Sequence, residues 1–161
     1  MNKTFRSTTL ALAALSLAGV AAATAAAEMK TEDAIRFRQS GYTFMAWNMG
    51  KIKAQVVDGA TPYNKDQVAA AANAVAAVAN SGMGALFAPG TDKGKGWKET
   101  RVKPDLFKEQ DEVGKLARNL VEQANKLQQV ALAGDPAAIK AQFGETGKAC
   151  KACHDKFRIE E

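Results

Sequence analysis

The spacing of apolar residues constrains this chain more than any other feature. In four separate stretches they recur three and four residues apart, the repeat that places side chains on one face of an α-helix. In the first, Ile35, Tyr42, Met45, Met49, Ile52 and Val56 follow at intervals of 7, 3, 4, 3 and 4. Val68, Ala71, Val75, Val78 and Ala79 form the second stripe, and Leu116, Leu120, Ala124, Leu127 and Ala131 the third. The fourth runs Ile139, Phe143, Thr146, Cys150, Cys153, Phe157. Aromatics make up only 7% of the chain and few runs are β-branched, so all-β and α/β folds are poor fits.

Turn signals divide the stripes. Thr31 reads as an N-cap, with Glu32 and Asp33 in the first turn where acids favour the helix dipole. Asp58-Gly59 and Pro62 break the first helix, and Asn64 with Gln67 matches a capping box for the second, which fades over Gly82 to Phe87. Pro104 suits the first turn of a third helix. Gly134-Asp135-Pro136 is a tight stop and restart, which makes the third and fourth helices antiparallel neighbours. The long irregular stretch from Ala88 to Lys103, with Gly90, Gly94 and Gly96, has the length of a functional loop. The expectation is an all-α fold, an antiparallel four-helix bundle, with neither a second domain nor a short internal repeat.

The first 27 residues are set apart from that fold. Lys3 and Arg6, the apolar run Leu10 to Val20 and the small residues Ala25-Ala26-Ala27 have the three-part pattern of a secretory signal peptide, cleaved after Ala27. The apolar run is too short and too rich in alanine to span a bilayer comfortably, and no membrane insertion is expected of residues 28–161. Losing Lys3 and Arg6 takes the formal net charge from +5 to +3. Acids and bases alternate along the rest with no basic arm, which argues against nucleic acid as a partner. A chain of this size buries enough surface to fold without a disulfide framework.

The two cysteines and the one histidine of the whole chain fall within five residues, Cys150-Lys151-Ala152-Cys153-His154. C-x-x-C-H is the c-type haem attachment signature. On a helix, residues three apart lie on one side, so both thiols reach the vinyl groups along one haem edge while the following imidazole turns toward the iron. A thioredoxin-like redox pair would follow a strand at the start of a helix, whereas this pair comes late in a helical chain. A structural zinc site needs four ligands, and a disulfide across so small a loop gains little. With a single histidine, bis-histidine ligation is excluded. A methionine sixth ligand would be Met29, Met45, Met49 or Met83, although Met45 and Met49 lie on the inward face as ordinary core residues.

With that motif late in an exported four-helix chain, the sequence resembles the class II cytochromes c, and more closely cytochrome c′. The likeness runs through Arg38-Gln39-Ser40-Gly41-Tyr42 and Met45, Pro62-Tyr63, Phe87 to Thr91, and Phe143-Gly144 into Cys150 to His154. The resemblance implies one covalently bound haem c per chain on Cys150 and Cys153, with His154 as axial iron ligand. It implies a five-coordinate, high-spin iron with no protein ligand opposite, because Tyr42 or an immediate neighbour stands where low-spin relatives place a methionine. Arg38 and Gln39 match positions near the haem propionates, and Phe87 matches an aromatic wall. Thr100 and Arg101 are within reach of a propionate, and Arg158 matches a basic residue beside the proximal imidazole.

The function so implied is that of a periplasmic haem protein, not an enzyme, that binds nitric oxide or carbon monoxide and exchanges electrons with an unidentified redox partner. An apolar distal face without a histidine favours neutral diatomic gases over anions and stable oxygen binding. A homodimer through the first or second helix is also implied. The alternative is a six-coordinate, low-spin electron carrier with a methionine distal ligand. A peroxidase is disfavoured because peroxide cleavage wants a distal acid–base residue.

Overall fold

The computed structural model describes residues 29–160, so the expected signal peptide lies outside the described residues. Helices α1 (Thr31–Val56), α2 (Lys65–Ala79), α3 (Gln110–Ala133) and α4 (Pro136–Phe157) carry the four stripes, and two single 3₁₀ turns, Met83–Leu86 and Pro104–Phe107, lie between α2 and α3. Each helix packs on its neighbours in sequence and α1 closes against α4, an up-down-up-down bundle. No described helix is long and apolar enough to cross a membrane.

The helix ends follow local chemistry, with two departures from the sequence expectation. The Asn64 side chain accepts from the Gln67 amide at 3.0 Å, one half of the capping box. The other half comes from α1, where Gln55 Oε1 accepts from the Asn64 amide at 2.8 Å. At the α3–α4 link, Gly134 caps α3 at φ 89°, Asp135 accepts from the Ala137 amide, and Pro136 opens α4. Thr31 is not an N-cap: it already has its place in the helix, and the capping position is Lys30, which offers no side-chain acceptor. Pro104 does not start α3 either. It starts its own 3₁₀ turn, which buries Leu106 and is closed by Lys108 bonding Asp105, and α3 begins six residues later.

The core is continuous at one end of the bundle and interrupted at the other. Ile52, Val68, Ala71, Ala72, Leu127, Ala131 and Ile139 form a fully buried cluster near the two tight links, where the Tyr63 hydroxyl donates to the Gly134 carbonyl at 2.9 Å. A second cluster, Met45, Val75, Ala76 and Ala124, lies midway. Beyond it the packing is more open: Leu120, Leu116 and Val113 on α3, and Cys150 and Cys153 on α4, are only half-buried, and burial returns at Ile35, Leu106 and Phe157. Antiparallel packing brings these positions to one end, along with the first half of α1 and the 3₁₀ turn after α2.

Candidate functional site

That open end is where the residues singled out in the sequence gather. Tyr42, on the inward side of α1, is 36% exposed and meets the Phe87 ring edge-on at 6.3 Å between centroids. Its phenol is pushed up to about 12, first by burial and then by the Cys153 and Cys150 thiols, while the Arg38 charge pulls the other way. Tyr42 on α1 and the cysteine pair on α4 therefore feel each other across the open end. Burial also raises both thiols above their ordinary values, so they stay protonated and neutral at neutral pH.

His154 follows on the last turns of α4 and turns to another side. It shares an open cavity of about 250 Å³ with Arg101, Asp155, Arg158, Ile159 and Glu160. The residue is exposed, so its burial is partial. That burial lowers its pKa, Asp155 opposes the shift and the Arg101 charge adds to it. The imidazole is held neutral at neutral pH, the form that binds a metal. Arg101 is tied to this region by its backbone: its carbonyl accepts from the Ile159 amide at 2.8 Å, next to a bridge between Val102 and Arg158.

Arg38 lies at 4% exposure and is no solvated helix residue. Its two terminal nitrogens donate to the Leu86 carbonyl (3.1 Å), the Thr91 hydroxyl (3.0 Å), the Thr91 carbonyl (2.9 Å) and the Thr100 hydroxyl (2.8 Å). Those four N–H groups are thereby spent on the loop, and only Nε–H remains for any other acceptor. The guanidinium also lies over the Phe87 ring at 4.6 Å, so one side chain holds the aromatic wall and both ends of the loop. Gln39 clasps the same loop further out: its Oε1 accepts from the Trp97 amide at 2.7 Å and its Nε2 donates to the Lys98 carbonyl at 2.9 Å. Thr100 serves as an acceptor for Arg38, and Arg158 is exposed beside His154.

Four residues outside the expected haem pocket also shape this end. Thr91 is 2% exposed and is the main anchor of Arg38. Met83 occupies the notch left by Gly41: a Cβ there would lie 2.7 Å from the methionine methyl and 2.9 Å from its sulfur. Leu116 and Leu120 are half-buried toward the open end, Leu120 also packing on the Met45, Val75, Ala76 and Ala124 cluster. Their stripe spacing was legible, but spacing alone does not tell a core-facing row from one that faces a bound group.

The residues present suit a flat apolar group carried on two thioether links. Cys150 and Cys153 share one side of α4, with Leu116, Leu120, Tyr42 and Phe87 at the same half-buried end, where a bundle without a guest would have closed. Fold and site together define a c-type cytochrome of the four-helix class. The cytochrome c′ family profile matches residues 33–158. Cytochrome c′ of Allochromatium vinosum is 51% identical over 158 residues, covering 98% of this chain and 99% of its own. A solved cytochrome c′ with an unusual ligand-controlled dimer dissociation is 53% identical, with a TM-score of 0.78 over 83% of this chain and all of its own. Variants of the Alcaligenes xylosoxidans protein, solved with carbon monoxide or nitric oxide bound, are 32% identical with a TM-score of 0.72, covering 81% of this chain and 98% of theirs. The chain belongs to the cytochrome c′ family and binds haem c.

Proposed function

We propose that this chain is a periplasmic haem protein with a five-coordinate, high-spin iron that binds nitric oxide or carbon monoxide and exchanges electrons with a redox partner, without being an enzyme. The observation that carries the reading is Tyr42, close enough to the cysteine pair for their charges to act on it, at the α1 position where the resemblance would put a methionine in low-spin relatives. The methionine sulfurs are engaged elsewhere: Met45 is buried with Val75 and Ala124, Met49 packs on both core clusters, and Met83 fills the notch at Gly41. Met29 lies exposed just ahead of α1.

The chain's own residues have distinct tasks in this reading. Cys150 and Cys153 would hold the haem through two thioether links. The neutral His154 imidazole would offer a nitrogen lone pair to the iron. Tyr42 and Phe87 keep the opposite side apolar, which favours an uncharged diatomic gas over an anion. Arg38, Gln39, Thr100 and Arg101 hold the loop and the C-terminal end of α4 at the edges of the site, and Arg158 sets the charge beside His154. Haem c supplies the iron that takes the gas and changes redox state.

Two further elements of the reading have support on the surface. Phe37, Phe44 and Trp47 stand exposed on the outer side of α1, an apolar stripe suited to a second copy of the chain, as the dimeric relative makes reasonable. The signal-peptide pattern of residues 1–27 supports export. Visible spectra of the purified protein, ferric and reduced, with and without carbon monoxide, test the proposal. A broad high-spin reduced spectrum that shifts with the gas is the expected result. Sharp low-spin bands indifferent to the gas would assign a sixth protein ligand and make the protein an electron carrier alone.

A further inference from the structure

The loop held by Arg38 and Gln39 carries a surface feature that the gas-binding site does not use. Residues 94–100 close a small hairpin: the Thr100 amide donates to the Gly94 carbonyl at 3.0 Å and the Gly96 amide to the Lys98 carbonyl at 3.1 Å. Trp97 at its tip is 66% exposed, the largest value among the exposed large hydrophobic residues described. An exposed indole is usually mobile, but this one is fixed. Its Nε1–H donates to the Ser40 hydroxyl at 2.8 Å, its ring stacks with the Arg36 guanidinium at 5.2 Å, and its amide is held by Gln39. The hairpin also lies so close to α1 that a Cβ on Gly96 would come within 2.7 Å of the Arg36 backbone nitrogen.

The charge around this knob is one-sided. Residues 92–103 hold five bases, Lys93, Lys95, Lys98, Arg101 and Lys103, against Asp92 and Glu99. Among the described residues, the ammonium groups of Lys93, Lys95 and Lys98 form no ion pair or hydrogen bond, whereas most lysines on the helices are paired with nearby acids. Through Thr100 and Arg101 the same loop continues to Arg38 and to the cavity beside His154.

We propose that Trp97 and the Lys93, Lys95 and Lys98 ring form the docking surface for an acidic redox protein; the inference rests on the electron-exchange part of the function proposed above. A pre-ordered indole makes a good central anchor because binding loses little side-chain freedom there. Unpaired lysines around it attract an acidic partner and steer its approach. The surface adjoins the part of the molecule that holds the haem-bearing residues, where a donor must come close. A second copy of the chain fits it poorly, since a two-fold interface sets a patch against itself and would bring these lysines face to face. An anionic membrane fits less well than a protein, since Trp97 is held to α1 by Ser40 and Arg36 rather than free to insert.

The test uses the haem-loaded protein and flavodoxin, an acidic one-electron flavoprotein, as the probe. Binding of oxidised flavodoxin is followed by nuclear magnetic resonance, and reduction of the ferric protein by reduced flavodoxin is followed by stopped flow. Photoreduced lumiflavin, an uncharged donor, serves as the control. The Trp97 indole N–H and the amides of residues 93–100 should shift on titration. Neutralising the ring with Lys93→Gln, Lys95→Gln and Lys98→Gln together should slow flavodoxin reduction about tenfold at low salt and flatten its salt dependence. Trp97→Ala should weaken flavodoxin binding several-fold with the salt dependence kept. Lumiflavin rates should stay at the wild-type value in both variants. Flavodoxin binding and rates untouched by these variants would overturn the proposal, as would shifts mapped to another face. So would a Trp97-dependent association with phosphatidylglycerol vesicles, or with a second copy, in place of flavodoxin. If lumiflavin fails to reduce the wild-type protein, the electron-exchange reading itself falls, whatever the binding shows.

Discussion

In the function proposed above, Tyr42 serves two ends at once, closing the apolar side of the site and being the group that must give way when a gas enters. Displacing it has a free-energy cost, and removing it should return that cost to binding. Tyr42→Ala is expected to tighten carbon monoxide binding about tenfold, equivalent to ~1.4 kcal/mol; unchanged affinity would take Tyr42 out of the role. Its phenol also carries a pH signature. Burial raises it to about 12 in the folded chain, against roughly 10 when unfolded. The raised value means its contribution to stability is complete below pH ~10 and fades as pH climbs toward 12, because the unfolded chain gives up its proton first. Alkaline ultraviolet titration should show a late tyrosinate component that Tyr42→Phe abolishes; if the component lost in Tyr42→Phe titrates near pH ~10 instead, the burial is contradicted. Arg38 acts differently. Arg38→Met leaves the buried acceptors of Thr91 and Leu86 without their donor, and thermal unfolding should show a loss of about 2–4 kcal/mol. The resemblance marked Arg38 as a site residue, but its loop-stapling role was not legible, since its partners lie 48 to 62 residues away.

At the scale of elements, local signals were readable wherever the chain satisfied them locally. The stop and restart at Gly134-Asp135-Pro136 needs only neighbouring residues: a left-handed glycine, a side-chain acceptor and a proline that lacks the donor the first turn does not use. Asn64 is a cap in fact and Thr31 is not, and the pair gives a matched prediction. Asn64→Ala should cost about 1 kcal/mol and Thr31→Ala close to nothing, measured by denaturant unfolding; equal costs would mean the caps are misassigned. Thr31 misled because acids after a threonine mark a helix start within a residue or so, without saying which residue stays outside. Pro104 misled for a related reason. It marks the start of a helical turn, but not whether the turn continues, and here the burial of Leu106 ends it as a separate 3₁₀ turn. The loop from Ala88 to Lys103 was legible as a long loop alone, because what orders it is donated by Arg38 and Gln39 on α1.

For the molecule as a whole, the unequal ends of the bundle divide stability between protein and cofactor. The closed end has a continuous core from Ile52 to Ile139, whereas the open end depends on the group attached to α4. A Cys150→Ser, Cys153→Ser, His154→Ala chain should therefore keep its slow hydrogen exchange around Ile52, Leu127 and Ile139 and lose it around Tyr42, Leu116 and residue 150. Even protection along all four helices would show that the open end stands on its own. The bundle could be read from the four stripes, but the asymmetry could not, since Leu116 and Leu127 occupy equivalent places in one pattern. The arrangement also imposes an order in time. The α1–α2 and α3–α4 pairs meet across short links and α2–α3 across a longer one, but Tyr42 and the cysteines belong to the first and last helices, so their approach closes the longest loop in the fold. The pocket is thus a late product of folding, shaped only after the rest of the bundle has been committed, and anything that slows the meeting of α1 and α4 delays the birth of the site more than the growth of the helices that carry it.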